Sequence, residues 1–533
     1  MIIRRRIQER EEQREGTEEP EREKRDLVTV DVNSERKSDM RTVGPEHVAL
    51  QQMTRYRLGT ILRGCGFDGR QIALAKMLVA GRMVHPASER ETARWLNESS
   101  ALCELLGVEQ KVYDNALHRV ANLLWEQHDR VEQQLAQAAR EAFDLDDTIL
   151  LYDLTNTYFE SNKKKSQIAR RKKSKDARHD RPLITLALTV DSEGFAKRSR
   201  ILAGNISEPG TLEEVLDQVK EPESDLFQKK TIVIDAGIAS EENLARIQAK
   251  GFHYLAVSRK KQFEDGFWED STEADVVLAS GKSVLKTKLT KMDGEAFLRC
   301  HSPEKEEKER SILHRRLSKF EEGLTTLDAG LRKKRTRKGY DQILERIGRL
   351  KEKYGVGTLY EITVSRNGDR ATAIAFDKND KGDAKEQHVG EYILRTDRCD
   401  LTHEEISKIH RSLTIVENSF RSMKSELGIR PNHHKSDDPS VAHIFITVIA
   451  YHIVTGVLKT LRAHGIKYTW ATIRKLLLNH SRSTSTLTTA EGDSLHIRSS
   501  TSPTLRQSEI YSALGIQHQP LRRKTAQIRH KGS

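Results

Sequence analysis

The chain has 533 residues, 32% of them charged, which is too long for one ordinary core and divides on length alone into two to four domains. Lys and Arg number 91 against 79 Asp and Glu, a net charge of +12 with a pI near 9.3, which favours a polyanionic partner without separating nucleic acid from an anionic membrane. No apolar run reaches the ~18 to 20 residues of a bilayer span, the start from Met1 to Arg6 lacks the apolar core of a signal peptide, and Cys65, Cys103, Cys300 and Cys399 form no C-x-x-C pair. A soluble, cytoplasmic protein with reduced thiols and no membrane partner is therefore expected.

Residues 1–45 are dominated by charges of both signs with few apolar anchors, so burial cannot offset the entropy of ordering them and a disordered tail is predicted. Residues 46–147 turn helical. Ile72, Leu74, Ala75, Met77 and Leu78 make one element, and Ser88 to Glu91 has capping-box spacing ahead of Trp95 and Leu96. Leu117, Val120, Leu123 and Leu124 make a third after Tyr113. Over 148–259 the pattern alternates, with strands predicted at 148–152, 183–190, 197–202, 231–234 and 253–257 and a helix at 241–249. Three strands followed by strand-helix-strand is the order of a ribonuclease-H-like sheet, in which the first and fourth strands are neighbours. Asp153 follows the first strand and Asp235 closes the fourth, so the two are expected at adjacent strand ends.

Residues 260–400 read as an insertion. Leu313, Leu317, Phe320, Leu324, Leu327 and Leu331 alternate spacings of four and three, and Ile343, Ile347, Leu350 and Tyr354 repeat the rhythm after Lys338-Gly339. That predicts an αα-hairpin, flanked by strands near 358–364 and 371–376. Residues 401–480 return to the core, with a buried helix from Val441 to Val454, and the Ser/Thr-rich stretch 481–533 is expected to be a weakly structured tail. Two basic runs are prominent: Lys163 to Arg181, containing Lys172, Lys173 and Lys175, and Lys333 to Lys338, containing Arg335 and Arg337. Each reads either as a solvated loop or as a phosphate contact. His433-His434 sits in a polar stretch without a spaced ligand pair and is expected to be solvated.

The chemistry concentrates on one predicted helix. Leu413, Val416, Phe420, Met423 and Leu427 recur at three and four, which is an apolar stripe, while Glu417, Arg421 and Lys424 occupy a neighbouring face. Alone, Glu417 and Arg421 would be an ordinary i,i+4 ion pair worth a few tenths of a kcal/mol. A hard divalent cation needs oxygen ligands from several places, and Asp153 and Asp235 offer two more. An unpaired carboxylate at a buried strand end costs several kcal/mol, a burden that a bound cation removes. Carboxylates with cations one and two turns along suit chemistry on DNA or RNA.

Gly204-Asn205 followed by Thr211-Leu212, the turn Ile234-Asp235-Ala236-Gly237, and Val416 to Ser425 together resemble the DDE transposases of bacterial insertion sequences, over about residues 148–460. The Glu417-x6-Lys424 spacing resembles the branch with a Tyr-x2-Arg-x3-Glu-x6-Lys signature, with His410 where that pattern has Tyr, Leu413 where it has Arg, and Arg411 close by as a substitute. The resemblance implies an α/β, ribonuclease-H-like catalytic core with an inserted β-rich and helical-hairpin domain and a helical N-terminal domain. It implies catalysis and metal ligation by Asp153, Asp235 and Glu417, with two Mg²⁺ ions and Mn²⁺ as a substitute. It implies DNA contacts from Arg421, Lys424 and the two basic runs. The partner would be double-stranded DNA, both terminal inverted repeats and target, bound by a homodimer or higher oligomer in a synaptic complex at the bacterial nucleoid. The helices of 46–147 then read either as an end-DNA-binding domain or as a cap on the core. Two rivals stay open: a DNA-binding protein derived from a transposase, and a metal-dependent nuclease without joining activity.

Overall fold

In the computed structural model the described residues are 27–160, 163, 166–171, 180–206, 211–219, 230–259, 266–277, 284–333 and 339–529. They fall into two units, neither continuous in sequence. The smaller takes the N-terminal residues through Val48, then Ala93–Val112, then His464 onward; the larger takes Ala49–Thr92 and Tyr113–Ala463. Strand β1 (Val30–Thr42) opens the smaller unit, where a disordered tail had been read. Its side chains are mostly exposed, so the strand is held by backbone pairing rather than by burial, which composition does not reveal.

Three of the helices that precede the sheet in the larger unit are α1 (Gly69–Val84), α2 (Asp114–Glu126) and α3 (His128–Phe143). Asp68 caps α1 by accepting from Gln71 N, and the Gln71 side chain returns the bond, a capping box. The chain then lays down β2 (Ile149–Tyr158), β3 (Leu183–Asp191), β4 (Ala196–Ala203), β5 (Thr231–Ile234), helix α4 (Glu241–Ala249) and β6 (His253–Val257). Strands β2, β3 and β4 are antiparallel neighbours, while β5 is parallel to both β2 and β6. The first and fourth strands of this run are thus adjacent.

The segment 260–400 is not simply appended to that sheet. Strands β7 (Thr272–Val277), β8 (Val284–Met292) and β9 (Glu295–His301) extend it, before helices α5 (Pro303–Leu331) and α6 (Tyr340–Tyr354) and the hairpin β10 (Tyr360–Asn367) with β11 (Arg370–Lys378). Strand β12 (Glu391–Thr396) then inserts between β6 and β9, giving one nine-stranded mixed sheet in the order β4-β3-β2-β5-β6-β12-β9-β8-β7. The helical hairpin keeps an apolar cluster of its own, in which Leu317, Phe320 and Leu324 of α5 meet Ile343 and Ile347 of α6 and Ile374 of β11. Ser302 caps α5 and Pro303 occupies its first turn, where a missing N–H is harmless.

Every residue of β3 is buried, so the sheet is covered on both faces there, whereas β7 is largely exposed. Helices α7 (His403–Arg411), α8 (Leu413–Ser425) and α9 (Asp437–Ala463) supply part of that cover. By length and composition α9 could cross a membrane, with a mean hydropathy of 2.0 over its apolar window, contrary to the reading that no such run exists. His443, Thr447 and His452 interrupt the run in sequence yet are buried with it. The helix packs on α1, α2 and β4, and 89% of the apolar window is buried inside the protein. Gly456 permits the closest approach, since a Cβ there would lie 2.1 Å from Tyr56 Oη. Because α1 and α2 pack on α9, the helices of 46–147 are not a domain of their own.

In the smaller unit, β1 pairs with β13 (Ser481–Thr489), β13 with β14 (Ser494–Ser500) and β14 with β15 (Lys524–Ile528), all antiparallel. Helices α10 (Trp470–Leu477) and α11 (Leu505–Leu514) belong to the same unit, with Trp470, Ile473, Leu477, Ile510 and Tyr511 buried. The Ser/Thr-rich stretch read as a loose tail is thus strand: Thr is β-branched and both residues fit a half-exposed pleat. Arg482 is wholly buried, and its Nε donates to Glu104 Oε1 at 2.9 Å.

Candidate active site

Asp153 lies within β2 and is half-buried; Asp235 follows the last residue of β5 and is exposed. Tyr152 pairs with Ile234 in the parallel ladder, so Asp153 and Asp235 are the next positions of two adjoining strands, where side chains in register share a face. Each carboxylate turns back on its own chain: Leu154 N donates to Asp153 Oδ1 and Ala236 N to Asp235 Oδ1, both at 2.7 Å. Arg259, just past β6, donates from Nε to Ala236 O at 2.7 Å and from Nη2 to Gly237 O at 2.5 Å. A cation bonded to two carbonyls fixes the turn after Asp235, a role that spacing along the chain gave no reason to assign.

Glu417 and Arg421 are exposed on α8, whose buried side carries Val416, Ser419, Phe420 and Met423 and packs on β2, β3 and α9. Lys424 is half-buried and Leu413 only partly so. Ser419 Oγ lies 2.6 Å from Tyr451 Oη, which donates to Gly194 O at 2.6 Å, tying α8 to α9 and to the β3–β4 turn. The exit from α8 is sewn to the end of β2: Thr157 Oγ1 donates to Ile429 O at 3.1 Å, Asn432 N to Tyr158 O at 2.9 Å and Glu160 N to Asn432 O at 3.1 Å. Strand and helix bearing the first and last acids are therefore joined through one short segment.

That segment ends in a buried polar cluster. Arg82 donates to Gly428 O at 3.4 Å and to His443 Nδ1 at 2.9 Å, while His434 Nε2 lies 3.1 Å from Glu89 Oε2. Burial pushes the Glu89 carboxyl up, but the His434 hydrogen bond and the charges of His434, His443 and Arg82 outweigh it and hold the group at about 2. Burial, then Arg82, drives His443 well below the usual imidazole range. Ligating atoms of Glu89, His434 and His443 lie within 4.8 Å of one another. Both His443 nitrogens are already engaged, by Arg82 and by Gly428 O at 3.3 Å, and Arg82 balances Glu89, so the cluster is complete without a cation. His434, read from sequence as solvated, is in this cluster; His433 alone is exposed.

His410 is packed on Tyr392 with ring centroids 5.2 Å apart, and its buried Nδ1 has no hydrogen-bond partner among the described residues. Burial first, with the charges of Lys305 and Arg411, lowers it to about 4 against the opposing charge of Asp235. A neutral imidazole thus stands near the Asp235 turn. Arg411 Nε donates to Ser407 O at 3.1 Å. Lys172, Lys173, Lys175, Arg335 and Arg337 lie outside the described residues. Lys163, at the head of the first basic run, is buried instead: its Nζ donates to Ser440 Oγ at 3.2 Å and sits 4.3 Å from the Phe159 ring centre. The four cysteines are free thiols.

Residues 142–453, which include Asp153, Asp235 and Glu417, match the family model of the transposase DDE domain. The chain belongs to that family. Among solved structures it is similar to a piggyBac transposase in a synaptic complex with hairpin DNA, at 8% identity and a TM-score of 0.38, covering 78% of this chain and 71% of that one. No curated protein matches it in sequence.

Proposed function

We propose that this chain is a DNA transposase of the bacterial insertion-sequence type, which cuts element ends and joins them to target DNA at the nucleoid. Its reaction would be two-metal phosphoryl transfer on a ribonuclease-H-like sheet. The carrying observation is the register: Asp153 and Asp235 follow one another across a parallel ladder, with the Glu417 helix packed over β2. The donor set suits a hard cation, because all three groups are carboxylates and neither Asp235 nor Glu417 has an ion-pair partner among the described residues. When bound, two Mg²⁺ ions, or Mn²⁺ in their place, supply an activated oxygen nucleophile and a stabilised leaving oxygen. Asp153 would be shared between them, with Asp235 and Glu417 completing one each. Arg421 would grip a phosphate by its planar fork and Lys424 as a point charge. The partners are terminal inverted repeats and target duplex, held by a dimer or higher oligomer.

The test is Asp153→Asn, Asp235→Asn and Glu417→Gln in the full chain. Each should abolish Mg²⁺-dependent cleavage of element-end DNA while leaving duplex affinity largely intact, since affinity comes mostly from phosphate contacts elsewhere. Variants that cleave as fast as the parent overturn the assignment. One observation favours a nuclease without joining activity: where the resembled signature has Tyr, this chain has a half-buried, neutral His410. A strand-transfer assay with pre-cut ends separates the two.

A further inference from the structure

The smaller unit carries charge for which the proposed reaction has no use. Residues 464–529 hold ten Lys and Arg against three Asp and Glu. Two of these cations are spent internally: Arg482 and Arg498 each donate from Nε to Glu104 at 2.9 Å, and Arg498 also pairs with Asp39 at 2.7 Å. The excess gathers at β15, every residue of which is exposed, together with exposed Arg522, Arg523 and Arg529 on its flanks. Those three arginines have no ion-pair partner among the described residues. Lys524 lies 3.8 Å from Glu104, a carboxylate already shared by two arginines.

The strand is nonetheless fixed in place. Arg482 Nη2 donates to Arg522 O at 2.9 Å, and Gln527 Nε2 donates to Asp493 Oδ2 at 3.0 Å. It pairs with β14 on one side, and its other edge is open among the described residues. A strand rises about 3.3 Å per residue, so Arg523 and Arg529 stand about 20 Å apart with Thr525 and Gln527 between them. That is a rigid, cationic, hydrogen-bonding edge with a single exposed large apolar side chain, Ile528. An apolar protein surface would find little to bury there, whereas a polyphosphate backbone finds cations at both ends of the edge and hydrogen-bonding side chains between them.

We infer that β15 with its flanking arginines is a docking edge for the sugar-phosphate backbone of duplex DNA, contributing affinity rather than base choice. The inference rests on the DNA-acting reading of the chain and adds to it a second contact surface, on the unit that lacks the candidate acids. Charge on an open edge also guards against edge-to-edge association, and that role alone predicts aggregation, not a change in DNA affinity.

The experiment measures binding of full-length protein to a labelled duplex of random sequence by fluorescence anisotropy across a salt series. It compares the parent with R522S/R523S/K524S/R529S and with the charge-retaining R522K/R523K/R529K. Each lost phosphate contact lowers the magnitude of the log K against log salt slope by about 0.9, so the Ser variant, which removes four cations, should lose up to about 3.6 from the slope and bind at least about tenfold more weakly at low salt. The Lys variant should keep the parent's slope, which excludes misfolding as the cause. A Ser variant with an unchanged slope overturns the inference while leaving the DNA-acting reading intact. A parent with no salt-dependent affinity overturns both.

Discussion

Glu132 on α3 is buried, accepts from Ser199 N at 3.0 Å through one oxygen, and leaves the other without a hydrogen bond among the described residues. Burial pushes it up to about 7 against the pull of Ser199, Arg198 and Arg200. Its folded pKa lies above the unfolded value of 4.5, so the folded state binds more protons between about pH 4.5 and 7 and stability falls as pH rises through that window. Charged Glu132 then destabilises by on the order of 3 kcal/mol at pH 8. Glu132→Gln should therefore raise the melting temperature at pH 8 and change it little at pH 5; equal shifts at both values would mean packing, not charge, decides. Single residues were legible in sequence where their chemistry clashes with their surroundings: Asp153 and Asp235 stand out because an acid ends an apolar run. Glu132, Arg259 and the Glu89–His434 pair were not, because each looks like an ordinary surface charge until a partner distant in sequence arrives beside it.

Among elements, α8 matters most for the proposed chemistry, and its exit depends on one glycine. Gly428 has φ +64°, and a Cβ there would stand 2.8 Å from Pro86 Cβ. Gly428→Ala adds left-handed strain to that clash, and should lower stability by about 1–3 kcal/mol, read in denaturant melts. It should also slow end cleavage more than it weakens duplex binding, because it shifts the helix bearing Glu417 without removing a cation. Helices α5, α6 and α8 were legible because apolar residues at three and four describe one buried face. The length of α9 was hidden by the polar residues it buries, and β1 with β13–β15 by the opposite problem: Ser, Thr and charges show no alternation when both faces of a sheet stay partly open.

At the scale of the whole molecule, the smaller unit is assembled from three separate stretches of chain, and cutting one should undo the others. Ending the chain at residue 480 removes β13, the one strand paired with β1 among the described residues, and strips Glu104 of both its arginines. Such a truncation should expose Val30–Thr42 and Ala93–Val112 to rapid hydrogen exchange while the β2–β6 ladder stays protected. Loss of protection in that ladder would show that the two units fold as one. These boundaries were not legible because a linear reading cuts a sequence into consecutive pieces, and neither unit is one.

The pairing of β1 with β13 also sets a timetable for synthesis. Ser34 Oγ accepts from Thr488 N, 454 residues further along the chain. At 5–20 residues per second a ribosome needs on the order of half a minute or more to make that stretch. During that interval β1 waits with an unsatisfied ladder edge, while the residues of the β2–β6 sheet and then α8 are completed before β13 is made. A nascent chain is thus born with its candidate chemistry assembled ahead of the sheet that holds β15, and a holdase that covers exposed strands would find β1 waiting.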